Sequence, residues 1–150
     1  MAAATRFDRQ WAHRGGQALL WKRDFAAGDV RDLYLPAPAM RPFDRRGFLR
    51  VDGTHAGTSL HLFCTQFAAD RNGIRDLRFA RRAVREVSGN VLLFVADPVA
   101  SHAGFGDLGL QTLLGSSDVM VCARGYGIDD IRAADVPGLS AIVTARAVRV

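Results

Sequence analysis

Five arginines form the clearest chemical pattern in this sequence. Arg71, Arg75, Arg78, Arg82 and Arg85 recur at three- and four-residue spacing within residues 70–87. At about 100° per residue they share an arc about 80° wide on one side of a helix. A guanidinium is a planar fork matched to phosphate oxygens, and five of them along roughly 20 Å of helix would attract a phosphate backbone. Asp76 and Glu86 lie off the centre of the stripe, so i,i+4 partners are not expected to neutralise it. The same spacing also suits the solvated face of an amphipathic helix. On the residues alone, both a solvated face and a contact for a phosphorylated ligand or nucleic acid stay open.

The other reactive side chains are scattered. His13, His55, His61 and His102 have no spacing of the kind found in metal sites. Cys64 and Cys122 sit among strand-like apolar residues and read as unpaired thiols of a reducing, cytoplasmic compartment. No nucleophile elbow, phosphate-binding P-loop or dinucleotide fingerprint is present, and Gly125-Tyr126-Gly127 reads as a turn.

The elements that must position these residues are mostly short strands. Strands are expected at 17–21 and 29–35, then a hairpin of 47–52 and 59–66 around His55-Ala56-Gly57-Thr58. In its second strand Leu60, Leu62, Cys64 and Gln66 share one side, with His61, Phe63 and Thr65 on the other. The Arg-rich helix follows over 70–87, with Leu77, Ala80, Val84 and Val87 as its apolar side and Gly89 as its left-handed stop. Residues 91–96 are continuously apolar, as in a strand covered on both faces. A short helix near 107–114 and strands at 119–122, 126–131 and 139–150 complete the reading. Four leading strands with no helix between them indicate α+β, and the Pro-rich stretch 36–42 is expected as a surface loop.

Composition agrees with one globular domain. The chain has 150 residues, 49% hydrophobic and 23% charged, which excludes disordered, collagenous and coiled-coil classes. The longest strictly apolar run, six residues at 91–96, is far short of the roughly 20 needed to span a bilayer. The first residues lack the apolar segment of an export signal. The formal charge is +5, and Lys22 is the lone lysine among 20 basic residues. That balance permits an anionic partner without requiring one.

Ala12-His13-Arg14-Gly15-Gly16 resembles the opening of glycerophosphodiester phosphodiesterases. Its continuation, Gln17-Ala18-Leu19-Leu20-Trp21, brings no carboxylate, and the barrel of that family needs about 200 residues or more.

A broader resemblance lies in the order of segments. Gly16-Gln17-Ala18-Leu19-Leu20, Arg45-Arg46-Gly47-Phe48-Leu49, a strand ending in Cys64-Thr65-Gln66, an Arg-rich helix, and a buried strand ending in Ala96-Asp97-Pro98-Val99 come first. Ser117-Asp118-Val119, Gly127-Ile128-Asp129-Asp130-Ile131 and a last apolar strand follow. The succession resembles the endonuclease/exonuclease/phosphatase superfamily, the DNase I-like fold, over roughly residues 16–150. The resemblance implies a two-sheet β-sandwich with outer helices, lacking the first strands of the family fold, with residues 1–15 as an N-terminal extension.

It also implies a chemistry: a divalent metal, usually magnesium, polarises a phosphate while a His–Asp pair activates water. Carried over by position, Asp97 matches the acid of Gly-Asp-Phe-Asn, a metal and catalytic position. Asp129 matches the acid of Arg-Ile-Asp-Tyr-Ile, and both acids are expected at strand ends on one rim. Gln66 stands where the family has a phosphate-binding His, Val99 replaces an Asn, and Ser140-Ala141-Ile142 falls where Ser-Asp-His belongs. These departures imply a catalytically impaired binding or structural module. The alternatives are part of an active magnesium-dependent hydrolase completed by another segment or chain, and an unrelated Arg-rich nucleic-acid-binding domain. A sandwich without its opening strands is further expected to expose a sheet edge, covered by a second copy or a partner chain.

Overall fold

A computed structural model describes residues 2–9, 14–34, 47–67, 72–96, 102–115, 119–134 and 142–149. In chain order the elements are β1 (Ala2–Arg9), β2 (Arg14–Trp21), β3 (Phe25–Tyr34), β4 (Gly47–His55), β5 (Thr58–Gln66), α1 (Asn72–Arg85) and β6 (Asn90–Ala96). A 3₁₀ helix (His102–Leu108), β7 (Gln111–Gly115), β8 (Val119–Arg124), β9 (Tyr126–Ala134) and β10 (Ile142–Arg149) follow.

Six strands form one sheet in the order β3-β4-β5-β6-β8-β7, and β1–β2 and β9–β10 form two-stranded antiparallel sheets. β5 and β6 pair in parallel, which obliges the chain to cross over between them, and α1 makes that crossover. β4 and β5 are joined by the two-residue turn Ala56-Gly57, both with positive φ, the geometry that matches strand twist in a tight hairpin.

Strand alternation sends apolar residues to both faces of the large sheet. On one face Phe48, Phe63, Val91, Leu93, Val95, Met120 and Cys122 pack with Ala80, Ala83, Val84 and Val87 of α1 and with Phe105 of the 3₁₀ helix. On the other, Leu49, Val51, Leu60, Leu62, Leu92 and Ala123 pack with Leu19 of β2 and Tyr126 of β9. The β1–β2 hairpin lies against β4 and β5, and β9 against β6, β7 and β8. The molecule is α+β: a six-stranded sheet with helix on one face and two strand pairs on the other.

Most expected elements are present, and several boundaries differ. Residues 2–9, set outside the domain on sequence, form β1 and pair along the whole of β2. The expected helix at 107–114 is instead a 3₁₀ helix ending at Leu108 and then strand β7, because β8 offers an edge with which residues 111–115 pair. Gly28, expected in a connection, is inside β3 at a bulge between Ala27 and Asp29. Gly125 (φ +71°) is the turn itself, while Tyr126 and Gly127 already belong to β9. The positive φ of Gly125 favours glycine where the chain leaves the large sheet, and a Cβ there would also push the Asn90 side chain aside. The stretch 36–42 lies outside the described residues. No helix among the described residues is long and apolar enough to cross a membrane.

A polar cluster ties β4, β5 and the end of α1 together. Arg50 Nε donates to Asp52 Oδ1 at 2.8 Å. His61 bridges the same carboxylate oxygen (2.6 Å from Nδ1) and the Ser88 carbonyl (3.1 Å from Nε2). Burial pushes the Asp52 carboxyl up, but the hydrogen bonds and positive charges of Arg50 and His61 outweigh it and hold the group below the usual carboxylate range. A depressed native pKa contributes stability that is complete above the unfolded value, about 4, and is lost as pH falls through the native one. Urea unfolding between pH 7 and 2 is therefore expected to show wild type losing stability below about pH 4. Asp52→Asn, already weaker at pH 7, should lose less, so the two midpoints converge in acid.

Candidate functional site

The ends of several strands meet on one rim of the large sheet. Gln66, the last residue of β5, pairs with Ala96, the last of β6. Ala96 also pairs with Val119, the first residue of β8. Gly47 opens β4 opposite Tyr34, the last residue of β3. Thr65, fully buried, donates from Oγ1 to the Gly47 carbonyl at 3.2 Å, and the Phe67 amide donates to the Ala96 carbonyl at 3.1 Å. These two bonds fix the mouth of the sheet around the half-buried Gln66.

The expected acids sit differently with respect to this rim. Asp97 follows Ala96 directly and lies outside the described residues, as do Arg71, Val99 and Ser140-Ala141. Asp129 is not at a strand end: it is the fourth residue of β9, paired with Arg146. β9 starts at Tyr126, whose hydroxyl is 2.9 Å from His55 Nδ1 beside the β4–β5 turn, at the far edge from Gln66. The residue preceding β8 in the chain is Asp118, also outside the described residues. Because Ala96 and Val119 are a register pair, the acids adjoining that pair in the chain are Asp97 and Asp118. The signal for Asp118 in the sequence was an acid placed immediately before an apolar strand.

The arginine stripe is on α1, with Arg75, Arg78, Arg82 and Arg85 exposed. It is partly paired, contrary to the expectation from spacing. Arg82 lies 3.6 Å from Glu86 and Arg85 lies 3.5 Å from Asp107. Long side chains reach across the helix surface, so residues off the centre of the arc still meet it. Among the described residues Arg75 and Arg78 face no carboxylate.

Two other arginines hold the helix that presents the stripe. Arg81 donates to the Gly104 carbonyl and to Asp107 of the 3₁₀ helix. Its hydrogen bond, opposed by burial and aided by the charges of Arg81 and Arg85, holds the Asp107 carboxyl below the ordinary range. Arg124, at the end of β8, donates to the carbonyls of Gly89, Leu108 and Val87 at 2.8, 3.0 and 2.9 Å.

Cys64 and Cys122 form no disulfide, and burial pushes the Cys122 thiol up despite a hydrogen bond with Thr112, which opposes thiolate chemistry at Cys122. Among the described residues no group of three or more His, Cys, Asp or Glu could hold a metal ion. At the rim the residue that ends β5, Gln66, carries a neutral amide, whereas magnesium is held by carboxylates together with substrate phosphates. The described residues do not fit a magnesium ion.

No family model and no curated protein sequence matches the chain. Solved structures do. A humanized D. rerio TDP2 matches with a TM-score of 0.63 at 15% identity, over 88% of this chain and 65% of that one. Another D. rerio TDP2 structure is complexed with a single-strand DNA product. An endonuclease/exonuclease/phosphatase family protein from Bacteroides thetaiotaomicron matches with a TM-score of 0.61 at 11% identity, over 97% of this chain and 69% of that one. The mannosyl-6-phosphatase Bt3783 of the same organism matches with a TM-score of 0.58 at 10% identity, over 89% and 66%. The chain has the DNase I-like fold of the endonuclease/exonuclease/phosphatase superfamily, and it spans about two thirds of the length of these structures.

Proposed function

We propose that this chain is a phosphate-binding module on the endonuclease/exonuclease/phosphatase fold, with hydrolytic machinery too incomplete for ordinary turnover. The observation that supports this is Gln66. It ends β5 at the rim, paired with the residue that leads into Asp97, where the resemblance expects an imidazole. An amide can donate to a phosphate oxygen, but it does not shuttle protons near neutral pH. Ser140-Ala141-Ile142 offers neither a general base nor a carboxylate to orient one. Groups that act as a unit lose most of their rate enhancement when several are missing.

In this reading Gln66 and Asp97 line the phosphate-facing mouth. Asp118, next to β8, takes the place first assigned to Asp129. Asp97 is the carboxylate on which any magnesium binding would depend. Arg71, Arg75, Arg78 and Arg82 form a positive approach for a phosphorylated ligand or a nucleic-acid strand. A second reading is an active hydrolase completed by another segment or chain, and the share of the solved structures left uncovered favours it.

Hydrolysis of bis-para-nitrophenyl phosphate separates the two. The module reading expects no release above buffer with magnesium, in wild type and in Asp97→Ala alike. Magnesium-dependent turnover that Asp97→Ala abolishes would overturn it.

A further inference from the structure

Among the described residues the large sheet leaves one long edge open. β3 is its first strand, ten residues paired there only to β4. Residues 26–32 are exposed without interruption, so side chains on both faces of the strand are uncovered. Val30 is half exposed. The opposite edge, β7, has five residues and packs beside the 3₁₀ helix. A long edge of this kind is a template for another strand, and the pattern of its residues selects the occupant.

We infer that β3 pairs antiparallel with β3 of a second copy of this chain, about a two-fold axis through Val30. A two-fold axis normal to the sheet pairs the residue on the axis with its own copy, and opposite residues share a face. Centred on Asp29, Arg31 or Asp32, the pairing sets like charges against each other, which is destabilising. Centred on Val30, it sets valine on valine, Asp29 against the second copy's Arg31, and Arg31 against the second copy's Asp29. Gly28 falls opposite Asp32. In the single chain Arg31 Nε already reaches Asp29 at 2.6 Å with both side chains more than half exposed. The two-fold joins two such pairs into one four-charge network. Edge charges and the bulge beside Gly28 usually deter strand pairing. Here the charges deter every neighbouring symmetric register while matching in one, and the bulge limits the pairing to its regular side.

The ladder is short. It buries a few hundred Å² per chain, at the low end of specific interfaces, so association is weak and concentration-dependent.

Sedimentation velocity from about 10 to 500 µM is the test, a range suited to weak association. Wild type is expected to pass from one chain to two across it. Arg31→Asp stays monomeric throughout, and Asp29→Arg combined with Arg31→Asp restores the dimer. Val30→Cys, oxidised at high concentration, gives a covalent dimer, since opposed strand residues lie within disulfide reach, whereas wild type with its own two cysteines does not. A wild-type chain that stays single at the highest concentration overturns the inference. So does a dimer that Arg31→Asp leaves intact, or a charge swap or Val30→Cys variant that fails to give its dimer.

Discussion

Replacing Arg124 with methionine is expected to lower the unfolding free energy by about 3 kcal/mol, measured by urea denaturation at pH 7. Its guanidinium donates to three carbonyls at once: Val87 and Gly89 in the turn that follows α1, and Leu108 at the end of the 3₁₀ helix. Helix ends leave such carbonyls without partners of their own, and a cation there also complements the helix dipole. Hydrogen bonds from charged donors contribute about 1.5–3 kcal/mol each. Arg124 is only part-buried, so water replaces some of the loss, and the sum falls well below three full bonds. Arg124→Lys should recover the smaller part, because one ammonium cannot span three acceptors fixed by a planar fork. A methionine variant within about 0.5 kcal/mol of wild type, the ordinary range for a surface change, would show that the sheet does not depend on this residue to hold α1.

The second large effect concerns the face that α1 presents. Arg75→Ala with Arg78→Ala is expected to weaken binding of a single-stranded oligonucleotide about ten- to thirtyfold at low salt. It should also flatten the slope of log affinity against log salt by about 1.4, from roughly 0.7 per phosphate contact on a single strand. Arg82→Ala should do less, because Glu86 at 3.6 Å already shares its charge. Fluorescence anisotropy across a salt series reads both quantities. If wild-type affinity stays flat from low to high salt, the stripe is a solvated face and the phosphate contact falls.

How much of this was legible in the sequence depended on how local each signal was. The alternation of residues 59–66 placed Leu60, Leu62 and Cys64 on one side and Phe63 on the other, and those residues divide between the two cores in that way. The apolar run at 91–96 was equally local and stands; Gly89 does adopt a left-handed conformation, but α1 already ends at Arg85, four residues before it. β1 was missed because Ala2-Ala3-Ala4-Thr5-Arg6-Phe7-Asp8-Arg9 has little strand character of its own. It is a strand through its pairing with β2, a tertiary effect that outweighs propensity. Residues 111–114 were read as helical for the same reason: the edge of β8 that makes them part of a strand is not visible in their own sequence.

The site was the least legible part. Segment order matched Asp129 to a family acid, but Asp129 lies inside β9, and the strand that pairs with β6 is β8. Only the register of Ala96 with Val119 singles out the acid before β8. Arg81 and Arg124, which hold the Arg-bearing helix, were indistinguishable in sequence from any other arginine, because their acceptors, backbone carbonyls and for Arg81 also the Asp107 carboxylate, come from segments distant in the chain.

The central claim is that phosphate is received at the rim carrying Gln66. Nuclear magnetic resonance of the ¹⁵N-labelled chain, titrated with a short thymidine oligonucleotide, tests it most directly. The account predicts that the Gln66 side-chain amide signal shifts together with the backbone amides of Gly47, Ala96 and Val119, while those of His55, Asn90 and Tyr126 stay in place. Shifts confined to that far edge, with the Gln66 signal unmoved at saturation, would contradict it.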